Sequence, residues 1–126
     1  KGDNLDCIFC NMDKSRIIME NELAYAIYDM FPVSNGHILI IPKQHFKDYF
    51  DIDNQTKNEL WILVDKCKKI IEKKYNPDGY NIGINCGEAA GQTVMHLHIH
   101  LIPRYKGDTE NPRGGVRGAI PGKRMY

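Results

Sequence analysis

Apolar residues follow two rhythms along this chain. Short near-continuous runs alternate with one long stretch in which they recur at steps of three and four. RIIME and LAYAIYD, within residues 16–29, read as two short strands about a turn at Asn21-Glu22. Pro32, Ser34, Asn35 and Gly36 make a loop. His37 to Pro42, HILIIP, is β-branched and unbroken, which predicts a buried strand that Pro42 ends. The period then changes. Leu60, Leu63, Val64, Cys67, Ile70 and Ile71 mark one face of a helix from Gln55 to Tyr75, with Asp53 or Asn54 as its cap. Lys66, Lys68, Lys69, Lys73 and Lys74 lie mostly on the other side, as a solvated face. Asn76-Pro77-Asp78-Gly79 is a turn, Gly79 to Cys86 a strand, Gly87 to Gln92 a small-residue loop, and Val94 to Pro103 the last strand.

These elements predict an α+β fold: about five strands, one long helix, and connections too short for many parallel crossovers. The sheet should be antiparallel with the helix on one face. There is no internal repeat. Residues 1–105 read as one domain. Residues 106–126, rich in Gly, Pro and Arg and without periodicity, read as an arm.

Composition narrows the classes. A chain of 126 residues, 42% hydrophobic, has enough apolar content for one core. No apolar run approaches the roughly 20 residues that span a bilayer. A net charge of +1 argues against a nucleic-acid-coating role, and Tyr25, Tyr28, Phe31 and Trp61 fall on core-like positions rather than among basic residues. KGDNLDCIFC lacks the apolar stretch of a signal peptide and an initiator Met, so processing of this end is expected. Of four cysteines, Cys7 and Cys10 form a CxxC, while Cys67 and Cys86 stand apart. Without an export signal, that pattern favours metal binding or buried thiols over disulfides, and a cytoplasmic protein.

Three of the five histidines fall in MHLHIHLIPRY. On a strand His96, His98 and His100 share one face, and Leu97, Ile99 and Leu101 face the core. A plain polar face is one reading, although Thr, Lys or Glu are commoner there. One metal held by all three is disfavoured: the end histidines stand about 13 Å apart along a strand, and zinc–nitrogen bonds are near 2.0 Å. The third reading is nucleophilic. Neutral imidazole attacks phosphorus near pH 7, and the preceding loop offers Gly87 and Gly91 for close backbone approach, with Gln92 and Thr93 as donors.

HLHIHLIP resembles the His-x-His-x-His-x-x signature of the histidine-triad (HIT) proteins, nucleotide hydrolases and transferases. CIFC, AIYDMFPVSNGHILIIPKQH and NIGINCGEAAGQTVMHLHIHLIPRY extend the resemblance to Tyr105. It implies a HIT-like fold with one long and one short helix, and a homodimer joining two sheets. It makes His98 the nucleophile at the α-phosphorus, His100 a phosphate contact and His37 a support for the triad. It makes Asp29 the ribose acceptor, and Asn85, Gln92 and Thr93 phosphate or leaving-group contacts. Without it, Asp29 would be a turn aspartate and His37 a core histidine. The transferase branch carries Gln in place of the third histidine; His100 therefore favours hydrolysis.

The resemblance also implies a structural zinc on Cys7, Cys10, His45 and His96, where the residues alone allow two buried thiols near a turn. No organic cofactor is implied. The GGVRG-type tail is similar to those of members close to dinucleoside polyphosphate hydrolases. Its Arg113, Arg117 and Arg124 are expected over an active site, in the same chain or its neighbour, against the plainer reading of a flexible basic terminus. The expected function is hydrolysis of diadenosine polyphosphates or another purine nucleotide, with no nucleic-acid or membrane partner. The alternatives are a nucleoside phosphoramidase on the same site or a non-enzymatic nucleotide-binding scaffold.

Overall fold

Asp53 opens the long helix α1, Asn54–Tyr75, by accepting the Thr56 amide at 2.8 Å. That carboxylate satisfies one of the amides a helix start leaves unpaired. Asn76 closes the helix in the left-handed region, φ 51°, and its N–H donates to Glu72 at 3.0 Å. The expected stripe is the buried one: Leu60, Leu63, Val64, Cys67 and Ile71 lie inside, with Ile70 at the margin. The computed structural model describes residues 5–126. Residues 1–4, with which the expected domain begins, lie outside the described residues.

Five strands follow: β1 Ile17–Glu20, β2 Ala24–Tyr28, β3 Ile38–Pro42, β4 Gly79–Ile84 and β5 Ile99–Arg104. They form one antiparallel sheet in the order β1-β2-β3-β5-β4. β3 is unbroken in its hydrophobicity because both its faces are covered. Ile38 and Ile40 meet α1, together with Ala24 and Ala26 of β2. Leu39 and Ile41 meet Cys7 and Phe9 on the opposite face, with Tyr25 and Ile27. Each fully buried aliphatic side chain contributes about 1.5–3 kcal/mol. Leu63→Ala, with Leu63 1% exposed at the helix–sheet contact, should therefore cost about 2–5 kcal/mol.

The last strand is shorter than the sequence predicts. β5 starts at Ile99, not Val94, and meets β3 only from Ile99 to Leu101. The Leu97 amide is diverted to the Phe46 carbonyl at 2.7 Å, so the chain bends at His96 instead of continuing the ladder. β4 correspondingly stops at Ile84, which leaves Asn85 and Cys86 in the following loop. The short helical elements are 3-10 turns, at Lys14–Arg16, Tyr49–Asp51, Glu88–Ala90 and Gly115–Ala119. No helix of the described residues is long and apolar enough to cross a membrane.

Candidate functional site

The face of the sheet away from α1 carries the histidines. Leu97, Ile99 and Leu101 enter the helix-side core, and the alternation turns His98 and His100 to the other side, both half-buried. His98 Nδ1 lies 2.9 Å from the His96 carbonyl. A carbonyl only accepts, so Nδ1 carries a proton, and in the neutral ring Nε2 keeps its lone pair.

A second histidine pair sits behind. Val33 N–H donates to His37 Nδ1 at 3.1 Å, so the His37 proton is on Nε2, 3.0 Å from His100 Nδ1. His100 then carries its proton on Nε2. Burial pushes the His100 pKa down to about 4, with His98 and His37 adding to the effect. Burial also lowers that of His37, against the pull of Asp29. Both rings are therefore neutral at pH 7. Asp29 leaves the end of β2; its Oδ1 accepts Phe31 N–H at 2.9 Å, and its Oδ2 lies 3.4 Å from His37 Nε2.

His98 and His100 line a cleft of about 780 Å³, with Asp29, Asn85 and Thr93 as polar neighbours. That is a size suited to a nucleotide. Gln92 stands apart from the other expected contacts. It is 3% exposed and absent from the cleft wall. Its Oε1 accepts Gly87 N–H at 2.8 Å, and its Nε2 donates to the Lys47 and Val94 carbonyls at 2.9 and 3.1 Å. His37 also lies behind the wall rather than in it.

Reading by motif missed the apolar wall. Phe9, Ile27 and Leu39 form it, and Arg16 reaches its edge. CIFC drew attention to its cysteines, although a residue bracketed by two ligands is itself held in place.

Beside the cleft, Cys7, Cys10, His45 and His96 bring one donor atom each within 4.8 Å of one another. Cys7 Sγ to His96 Nδ1 is 3.2 Å, Cys10 Sγ to His45 Nδ1 is 3.3 Å, and the two Nδ1 atoms are 3.1 Å apart. A tetrahedral zinc with bonds near 2.0–2.3 Å spaces such donors by about 3.3–3.8 Å, so the set fits with small outward adjustment. The tautomer fits as well. His96 Nε2 lies 2.8 Å from the Pro42 carbonyl and must donate, leaving the Nδ1 lone pair toward the thiols. His96 is wholly buried, and that burial pushes its pKa down to about 4.

The arm folds largely on itself. None of its residues lines the cleft of the same chain. Arg124 Nη1 donates to the Asn111 and Arg113 carbonyls at 2.7 and 2.6 Å, and Arg117 to that of Lys123 at 2.9 Å. Arg113 and Arg117 lie over the Tyr126 ring, 5.2 and 4.8 Å from its centre. The guanidinium groups are occupied in folding the arm. At Gly114, φ 90°, a side chain would strike the Arg124 backbone.

Fold and site together define an α+β protein with a histidine cluster in a nucleotide-sized cleft and a Cys2His2 set next to it. The HIT domain family model matches residues 11–107, and the chain belongs to that family of nucleotide-binding proteins and hydrolases. It is 40% identical over 110 residues to an uncharacterized HIT-like protein of Methanocaldococcus jannaschii, covering 82% of this chain and 83% of the other. It is 38% identical over 98 residues to a bis(5'-adenosyl)-triphosphatase of Dictyostelium discoideum, covering 78% and 66%. The crystal structure of a zinc-bound histidine triad family protein from Mycobacterium smegmatis superposes with a TM-score of 0.76 at 34% identity, covering 85% and 81%.

Proposed function

We propose that the protein hydrolyses dinucleoside polyphosphates, diadenosine polyphosphates foremost, at the α-phosphorus. The observation that carries the reading is the order of protons in the cluster. His98 has its Nδ1–H tied to the His96 carbonyl and a free Nε2 lone pair. His100 has its Nδ1 filled by His37 and a free Nε2–H. One ring is arranged to attack and its neighbour to donate.

His98 Nε2 attacks phosphorus, the P–N bond forms, and the P–O bond to the remaining polyphosphate breaks with its electron pair on the departing oxygen. His100 Nε2–H and the side chains of Asn85 and Thr93 donate to the phosphoryl oxygens and the leaving group as charge develops. Asp29 accepts from the ribose hydroxyls, and Phe9, Ile27 and Leu39 enclose the base. Water then attacks phosphorus, the P–N pair returns to His98, and a nucleoside monophosphate leaves as the water proton passes to solvent. Support for the substrate class comes from the triphosphatase relative.

Cys7, Cys10, His45 and His96 would hold zinc. A closed four-ligand set supplies structural anchoring rather than Lewis-acid chemistry. A homodimer joined through the outer edge of β4 belongs to the same reading, supported by the absence of any strand on that edge among the described residues. The arm packs beside β4, where it would approach a partner's cleft.

The test is product analysis of wild type and His98→Ala on diadenosine tetraphosphate and, separately, on an adenosine phosphoramidate. Turnover of the tetraphosphate to AMP, abolished in His98→Ala, is expected. Preference for the phosphoramidate would assign the cleft to P–N hydrolysis. Turnover of neither by the wild type would sink the enzyme assignment for these substrates.

A further inference from the structure

We propose that Phe9 is a positioning residue for His98, through which the Cys7–Cys10 loop sets the attacking ring. The proposal rests on the role given to His98 above.

Phe9 lies between the two thiols in sequence, and its place is fixed from three sides. Cys10 N–H donates to Cys7 Sγ at 3.3 Å, closing the loop around it. The Tyr25 hydroxyl donates to the Phe9 carbonyl at 2.6 Å, and Tyr25 itself is 4% exposed. The Phe9 side chain is buried between the loop and the sheet, against Ile27 and Leu39. Its backbone therefore moves only if the loop moves.

The ring meets both histidines that matter. It lies edge-on to His96, centroids 5.7 Å apart at 86°, and to His98, 5.1 Å apart at 62°. His98 also meets His100, again 5.1 Å apart at 61°. The nucleophile thus has two ring neighbours at equal spacing. Its one hydrogen bond, from Nδ1 to the His96 carbonyl, selects a tautomer but leaves the ring plane free to swing about that bond. Phe9 and His100 are the rings in contact with it that restrict that swing. Edge-to-face geometry holds a ring plane, which an aliphatic contact of equal volume does not.

Two links therefore join the Cys2His2 cluster to the nucleophile. One is the His96 carbonyl; the other is the Phe9 ring. The cluster and the cleft also share a wall. Cys7, Ile8, Thr93 and Val94 line both the cleft and a separate opening of about 360 Å³ beside His45. A change in the loop that holds the thiols reaches the cleft without crossing any other element.

Phe9 also forms part of the apolar wall, so its loss has two separable effects. A base-wall role alone weakens substrate binding, raising KM with kcat unchanged. A positioning role lowers kcat, because a misplaced attacking atom loses in-line approach at similar binding.

The experiment compares full-length wild type, Phe9→Leu and Phe9→Met, each loaded with cobalt(II) or zinc. Cobalt visible bands report the thiolate site. Zinc-loaded protein labelled with nitrogen-15 reports the His98 ring through its imidazole signals, without substrate. Steady-state turnover of diadenosine tetraphosphate supplies kcat and KM. Both variants are expected to keep the wild-type cobalt spectrum, to show broadened or doubled His98 ring signals, and to lose roughly ten- to a hundredfold in kcat with KM within about threefold. Unchanged His98 signals would overturn the proposal, and so would a raised KM with intact kcat. If Phe9→Leu fails to fold, Phe9→Met, which fills similar volume with a flexible chain, gives the same readings. If wild type turns over no nucleotide, the enzyme reading fails, while the imidazole signals still decide whether Phe9 holds the ring.

Discussion

His37 Nε2 stands 3.0 Å from His100 Nδ1, and the proton between them belongs to His37. The backbone decides this. Val33 N–H occupies His37 Nδ1, so a neutral His37 has only Nε2 left to protonate. The main chain of the loop before β3 thereby dictates a tautomer one ring further on, at His100, which lines the cleft. A half-buried ring with a free choice of tautomer would present a donor only part of the time. Here the donor at His100 Nε2 is permanent.

Replacing His37 should expose that dependence. His37→Leu keeps most of the buried volume and removes the donor to His100. The expected result is a fall in kcat of roughly ten- to a hundredfold with little change in KM, since no substrate contact is lost. Steady-state kinetics on diadenosine tetraphosphate measures it. An unchanged kcat would show that the His100 tautomer does not limit the reaction.

The same pair predicts an acid-sensitive fold. His37 and His100 both have folded-state pKa values below their ordinary 6.5, His100 near about 4. Between pH 6.5 and about 4 the unfolded chain takes up protons that the folded chain refuses. Stability is therefore complete above about pH 6.5 and falls as pH drops toward 4. Urea midpoints at pH 7, 5.5 and 4.5 should decline steadily. In His100→Asn the decline should be shallower. An identical slope in that variant would place the acid sensitivity elsewhere, for instance at the metal ligands.

The helix was legible because its period survives folding: every residue of the predicted stripe except Ile70 is buried. β3 was legible for the opposite reason, since a strand covered on both faces needs no alternation. The start of β5 was not, because HLHIHLIP alternates across His96 while the Leu97 amide pairs with Phe46, more than forty positions earlier. No local pattern records such a bond. The four clustered Cys and His residues were legible as a ligand set through resemblance; the His96 tautomer needed the Pro42 carbonyl. For the arm's arginines the sequence shows charge and not which carbonyls are near it.

Gln92 gives the sharpest separation between a contact role and a framework role. Resemblance assigned it to the substrate, whereas its amide is 3% exposed and has both ends bonded within the protein. It ties the 87–92 loop to Lys47 beyond β3 and to Val94 at the approach to the histidines. Gln92→Ala would strip partners from one part-buried amide and two carbonyls, at about 1–3 kcal/mol for a group left dry and less where water enters. A net loss of about 2–3 kcal/mol in urea unfolding is expected, with kcat falling less than tenfold, because Asn85 and Thr93 keep their own side chains. Gln92→Glu should lie close to Gln92→Ala, since a carboxylate keeps the bond from Gly87 but donates to neither carbonyl. A residue that touched phosphate would behave in reverse, with stability intact and kcat reduced by a hundredfold or more. The ratio of the two effects, measured on one preparation, therefore decides whether Gln92 acts on the substrate or on the loop that faces it.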